Sequence, residues 1–122
     1  MIRKLGLGLL LWVVAGELAL AADVSGKWSA EFDTQVGKQS YTYEFHVDGA
    51  KVTGKAVNAQ FGSHDIQEGK IDGDTISFVE SMDFQGTELR IAYTGKIEGD
   101  EIKFTRKVGD FATEEFAAKR VK

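Results

Sequence analysis

Ile71-Asp72-Gly73-Asp74-Thr75-Ile76 has two counterparts in the chain: Val47-Asp48-Gly49-Ala50-Lys51-Val52 before it and Ile97-Glu98-Gly99-Asp100-Glu101-Ile102 after it. Each phrase runs β-branched residue, acidic residue, glycine, two polar residues, β-branched residue. Glycine adopts positive φ without steric cost, so an acidic residue followed by glycine between alternating segments marks a tight hairpin. A period in the twenties also occurs in solenoids, but here each unit holds two strands. The phrases therefore read as repeated hairpins of one meander.

Working outward from these turns, apolar residues alternate with polar ones, the period of half-buried strands. Strand one, 25–33, lines up Trp28, Ala30 and Phe32. Strand two, 39–47, lines up Tyr41, Tyr43, Phe45 and Val47, with Thr42, Glu44 and His46 opposite. Strand three, 51–58, carries Val52, Gly54 and Ala56. Strand four, about 64–71, breaks parity between Ile66 and Ile71, which predicts a bulge at Gly69. Strand five, 75–84, aligns Ile76, Phe78, Glu80, Met82 and Phe84. Strand six, 87–97, aligns Leu89, Ile91, Tyr93 and Ile97. Strand seven, 101–108, aligns Ile102, Phe104, Arg106 and Val108. Strand eight, 113–121, aligns Glu114, Phe116 and Ala118. Eight strands joined by short turns, with one apolar face to hide, predict an all-β fold: an eight-stranded antiparallel up-and-down meander barrel, lipocalin-like or calycin-like in outline. Such a barrel either fills with side chains or holds one small ligand.

Composition removes other classes. The chain has 122 residues, fourteen glycines, no proline and no cysteine. That length fits one domain. Without cysteine there is no disulfide framework, thiolate zinc site, iron–sulfur cluster or cysteine nucleophile. Absence of proline suits strands whose backbone N–H groups are nearly all paired. A formal charge of -4 gives no basic footprint for nucleic acid. No nucleotide- or phosphate-binding fingerprint and no serine-nucleophile elbow occurs.

The first segment reads as an address. Arg3 and Lys4 precede an apolar run from Leu5 to Ala15, and Ala19-Leu20-Ala21 is a small-x-small cleavage site. The run is too short to span a bilayer, and Glu17 interrupts it. Residues 1–21 are thus expected to be a signal peptide. Residues 22–122 are expected to form the single barrel domain of a secreted or periplasmic monomer without membrane attachment. Cleavage removes Arg3, Lys4 and Glu17, making the net charge one unit more negative.

Alternation also exposes charges on the apolar face. Glu80 lies between Phe78 and Met82, Arg106 between Phe104 and Val108, and Glu114 shares the face of Phe116. If Phe104 pairs with Phe116 across strands seven and eight, Arg106 falls opposite Glu114. The expectation is an interior cluster of Glu80, Arg106 and Glu114 with the hydroxyls of Tyr41, Tyr43 and Tyr93 as neighbours. As a polar floor in an aromatic-lined interior or mouth, with Trp28, it would bind a small apolar or aromatic molecule or a glycan segment. As a carboxyl pair, Glu80 and Glu114 would serve a small glycoside hydrolase. The third reading is a structural barrel without a ligand. His46 and His64, with Glu44 or Asp65, show no spacing that demands a metal, and no cofactor is expected. Asn58–Ser63 and Val108–Ala112 are the longest irregular connections; Phe61 and Phe111 in them are expected to cap a barrel mouth.

Val24-Ser25-Gly26-Lys27-Trp28, Val47-Asp48-Gly49, Glu68-Gly69-Lys70-Ile71-Asp72-Gly73-Asp74-Thr75-Ile76-Ser77-Phe78, Tyr93-Thr94-Gly95-Lys96 and Phe116-Ala117-Ala118-Lys119-Arg120 resemble a group of small secreted bacterial β-barrel proteins. Some of these carry the label endo-1,4-β-xylanase. The resemblance covers nearly the whole domain and implies the barrel fold and a link to plant polysaccharide such as xylan. The matching positions are turn and core residues, so it brings no catalytic residue with it.

Overall fold

The computed structural model describes residues 23–122, so the expected signal peptide lies outside the described residues. Eight strands follow in chain order: β1 (Gly26–Thr34), β2 (Gly37–Asp48), β3 (Lys51–Asn58), β4 (Gly62–Asp72), β5 (Thr75–Phe84), β6 (Thr87–Glu98), β7 (Glu101–Val108) and β8 (Ala112–Arg120). They close into an antiparallel barrel in sequence order, β1 to β8. β2, β4 and β6 run longer than alternation predicts, and the two irregular connections shrink to residues 59–61 and 109–111. Ladder bonding extends to the turn because each residue left unpaired would forfeit a backbone hydrogen bond.

The three repeated phrases are the two-residue turns of β2–β3, β4–β5 and β6–β7. In each, glycine is the first loop residue, with φ of 64° at Gly49, 61° at Gly73 and 66° at Gly99. This left-handed first position twists the hairpin in the sense of the flanking strands. All three turns lie at one end of the barrel. The other four connections form the opposite rim, tipped by Gln35-Val36, Ala59–Phe61, Gln85-Gly86 and Gly109–Phe111.

The expected irregularity of β4 is present. Its ladder to β5 shifts between Gln67 and Lys70, and Glu68 has φ of 53°. The extra residue restores parity, so Ile66 and Ile71 both point inward and are buried. Gly69 suits this point because a Cβ there would lie 2.1 Å from the Val52 carbonyl oxygen.

Inside, the core is layered. Val52, Ile71, Ile76, Ile97 and Ile102 fill the end with the repeated turns. Tyr43, Phe45, Phe78, Tyr93, Phe104 and Phe116 form a packed aromatic middle, with Phe78 stacked on Tyr93 at 4.3 Å and Tyr43 edge-on to Tyr93 at 5.6 Å. Interior space through the waist is filled by these rings. The barrel seam is its sparsest ladder: β1 and β8 pair at Trp28–Arg120 and Ser29–Lys119. Farther along, Phe32 and Phe116 stack at 4.0 Å and close the gap with side chains.

Candidate functional site

The polar cluster sits above the aromatic layer, toward the rim. Phe104 pairs with Phe116 and Arg106 with Glu114, the register deduced from local alternation. Arg106 Nη1 donates to Glu114 Oε1 at 2.5 Å, Nε to the Tyr93 hydroxyl at 3.0 Å, and Nη2 to the Tyr41 hydroxyl at 3.0 Å. Its guanidinium carbon lies 5.3 Å from the ring centres of Phe32 and Tyr41 and 5.6 Å from that of Tyr93. A buried arginine is tolerated here because hydrogen bonds, carboxylates and ring faces replace its water.

Glu80 is wholly buried, and donors converge on it. Tyr41 hydroxyl lies 3.0 Å from both carboxyl oxygens. Tyr93 hydroxyl donates to Oε1 at 2.8 Å. His64 Nδ1 is 3.0 Å from Oε2, and Arg106 Nη2 is 4.0 Å from Oε1. Tyr43 completes the chain by donating to the Tyr93 hydroxyl at 3.0 Å. Among the described residues no buried side-chain polar atom lacks a partner, so the network meets the requirement that polar groups be satisfied when enclosed.

The three phenols hold their protons tightly. Burial, and then the Glu80 carboxylate, push Tyr41 up to about 12. Burial pushes Tyr43 and Tyr93 well above the usual tyrosine value. A raised folded-state value means that unfolded tyrosines lose protons first as pH rises. The stabilising contribution is therefore complete below pH 10 and is lost as pH climbs toward and past 12. Tyr41 alone accounts for about 2–3 kcal/mol over that window. The barrel is expected to unfold in alkali with tyrosinate absorbance appearing in the same transition; absorbance preceding loss of structure would contradict this.

Above the network is a cavity of about 90 Å³, open at the rim. Its walls are Val36, Phe61, Met82, Phe84, Leu89 and Ile91, and its polar side is Gln39, Tyr41, Arg106 and Glu114. Beside it a groove of about 440 Å³ runs over Val36, Phe84, Leu89 and Phe111. Phe61 covers part of the mouth, edge-on to Phe84 at 6.3 Å. Phe111 is 73% exposed and lies along the groove, so only one of the two loop phenylalanines fulfils the capping expectation.

Of the expected ligand contacts, Tyr41 and Arg106 reach the cavity, joined by Glu114. Glu80 and Tyr93 lie beneath them as supports. Tyr43 is enclosed in the aromatic layer, and Trp28 is buried near the chain's first described residues, donating to the Val24 carbonyl. Neither lines the cavity. Alternation assigned both correctly to the inside but carried no information on height along the barrel. Of the two places open to a ligand, interior and mouth, the waist is occupied by the packed rings from Tyr43 to Phe116, and the mouth keeps the cavity.

Three participants were missed: Gln39, Asn58 and His64. Each continues an inward series by one step, Gln39 before Tyr41, Asn58 after Ala56, and His64 before Ile66, so the signal was present. Asn58 Nδ2 donates to Gln39 Oε1 at 2.8 Å, and Asn58 Oδ1 accepts from the Gln60 and Phe61 amides at 2.7 and 2.9 Å. This fixes the loop that carries Phe61. His46 is exposed on β2, whereas His64 packs against Glu80. No group of three or more metal-ligating side chains occurs among the described residues.

No protein-family model matches the chain, and no curated protein matches it. Among solved structures it is similar to a protein described as "REP1-NXSQ fatty acid transporter", with 18% identity and a TM-score of 0.53 over 84% of this chain and 98% of that one. At that identity the likeness concerns the fold alone, in keeping with the lipocalin-like or calycin-like outline of this closed barrel.

Proposed function

We propose that this barrel binds a small, largely apolar molecule at its rim, with the polar end of the ligand over Tyr41, Arg106 and Glu114 and the tail along the Phe84–Phe111 groove. The observation that carries the reading is the cavity itself: apolar walls meet a few convergent polar groups held by a rigid network, the composition of small-molecule sites. Pockets that engulf a drug-sized ligand run to roughly 300–1,000 Å³. A 90 Å³ cavity instead takes one end of a ligand and leaves the rest in the adjoining groove. The neighbour's description as a fatty acid transporter supports a lipid-like class.

The hydrolase alternative draws no support from the placement of its residues. Glu80 is wholly buried with both oxygens engaged, and Glu114 is tied to Arg106. The two do not flank an open cleft, as acid and nucleophile or base must.

Fluorescence titration with the neutral dye N-phenyl-1-naphthylamine tests the mouth reading. Binding is expected for the unaltered protein. Leu89→Trp, which fills the space shared by cavity and groove, should weaken it about tenfold or more. Equal affinity in the variant would place the dye elsewhere.

The charged end, apolar run and small-x-small site at residues 1–21 support export, in line with the resemblance to small secreted barrels. Amino-terminal sequencing of protein recovered outside the cytoplasm should begin at Ala22. Recovery of an intact Met1 terminus would overturn export with cleavage.

A further inference from the structure

The charge balance at the mouth narrows the class of ligand, an inference that rests on the rim-binding reading above. Among the described residues, the side chains lining the cavity that carry charge at neutral pH are Arg106 and Glu114. Arg106 is already engaged on all three nitrogens, by Tyr93, Tyr41 and Glu114. Behind it stands a second carboxylate, Glu80, 4.0 Å away. One cation thus faces two anions. The His64 ring touches Glu80 on its other oxygen. Arg106 and the two carboxylates together carry one net negative charge.

A carboxylate head entering this site would meet no uncommitted cation, in surroundings where unfavourable Coulomb terms are poorly screened. Glu114 offers the opposite opportunity. Its Oε1 holds Arg106, while its side chain remains 12% exposed at the cavity wall. Among the described residues no side chain bonds its Oε2. An ammonium head placed there gains a charge-assisted hydrogen bond and cancels the net charge of the floor. We propose that the mouth selects a primary amine bearing an apolar tail, Glu114 accepting from the ammonium group and the tail lying against Leu89 and Phe84.

Calorimetric titration with octylamine, octanol and octanoate at neutral pH and low salt separates the possibilities. These probes share one tail and differ only at the head. Octylamine should bind about tenfold tighter than octanol, octanoate more weakly than either, and added salt should narrow the spread. Glu114→Gln, with its thermal unfolding checked to confirm a native fold, should abolish the preference for the amine. Octylamine no tighter than octanol, octanoate as tight as the amine, or an undiminished preference in Glu114→Gln would each overturn the amine assignment and leave rim binding standing. Failure of all three probes to bind would overturn rim binding itself.

Discussion

Arg106→Leu is expected to destabilise the barrel by about 3–5 kcal/mol at neutral pH, the range for breaking a buried ion pair by removing one partner. Three interactions disappear together: the bond to Glu114 and those to the hydroxyls of Tyr41 and Tyr93. Leucine matches part of the volume, so cavity formation is a minor contribution. The main loss is electrostatic, because Glu80 stays enclosed without the Arg106 guanidinium and Glu114 faces a hydrocarbon. A buried charge left in that state costs more than the pair was worth in the intact protein. Urea denaturation monitored by fluorescence gives the figure directly. A variant as stable as the parent would mean that the tyrosine and His64 donors suffice for Glu80. Simultaneous conversion of Arg106, Glu80 and Glu114 to apolar residues should recover much of the loss, since an apolar cluster leaves no orphaned charge.

Trp28→Ala is expected to cost about 3–5 kcal/mol, the usual range for removing a large buried aromatic. The indole is completely buried, and its Nε1 donates to the Val24 carbonyl at 2.9 Å. Arg120 stacks over the ring at 4.5 Å. Arg120 is also the cross-strand partner of Trp28 in the short β1–β8 ladder, so the truncation empties the core where backbone pairing is sparsest. Increased hydrogen exchange should therefore appear first at Ser29 and Lys119 rather than uniformly. A loss below about 1 kcal/mol would show that the seam collapses into the vacated space. Trp28→Phe, which keeps most of the apolar volume but not the indole donor, should fall between alanine and the parent. Neither variant is expected to alter dye affinity, because Trp28 does not line the mouth.

These two residues mark the reach of the sequence. Both were assigned inward by alternation alone, and for Arg106 even the partner was legible. Phe104 and Phe116 lie on adjacent strands joined by a short loop, so pairing the two aromatics fixed Arg106 opposite Glu114. The β4 bulge was legible for a similar reason: Ile66 and Ile71 differ in parity, and both can be buried only if one residue is inserted between them. By contrast, Tyr41 and Arg106 are separated by 65 positions in the chain, and Tyr41 and Glu80 by 39. Alternation placed all three in one interior cluster, but no local pattern gives which of them touch. Trp28 and Tyr41 looked like equivalent aromatic contacts, yet one lies remote from the mouth and the other lines it.

The sequence by itself determined the hairpins, the inward face of each strand, the barrel class and the Arg106–Glu114 pair. A period of two and a glycine with positive φ are properties of neighbouring residues, and adjacent antiparallel strands inherit their register from the turn. Only the tertiary structure decided the height of each inward residue, the filling of the waist, the contact of His64 with Glu80, and the end that stays open. Those features depend on the tilt and stagger with which eight strands close, which set how side chains from opposite walls meet across the interior.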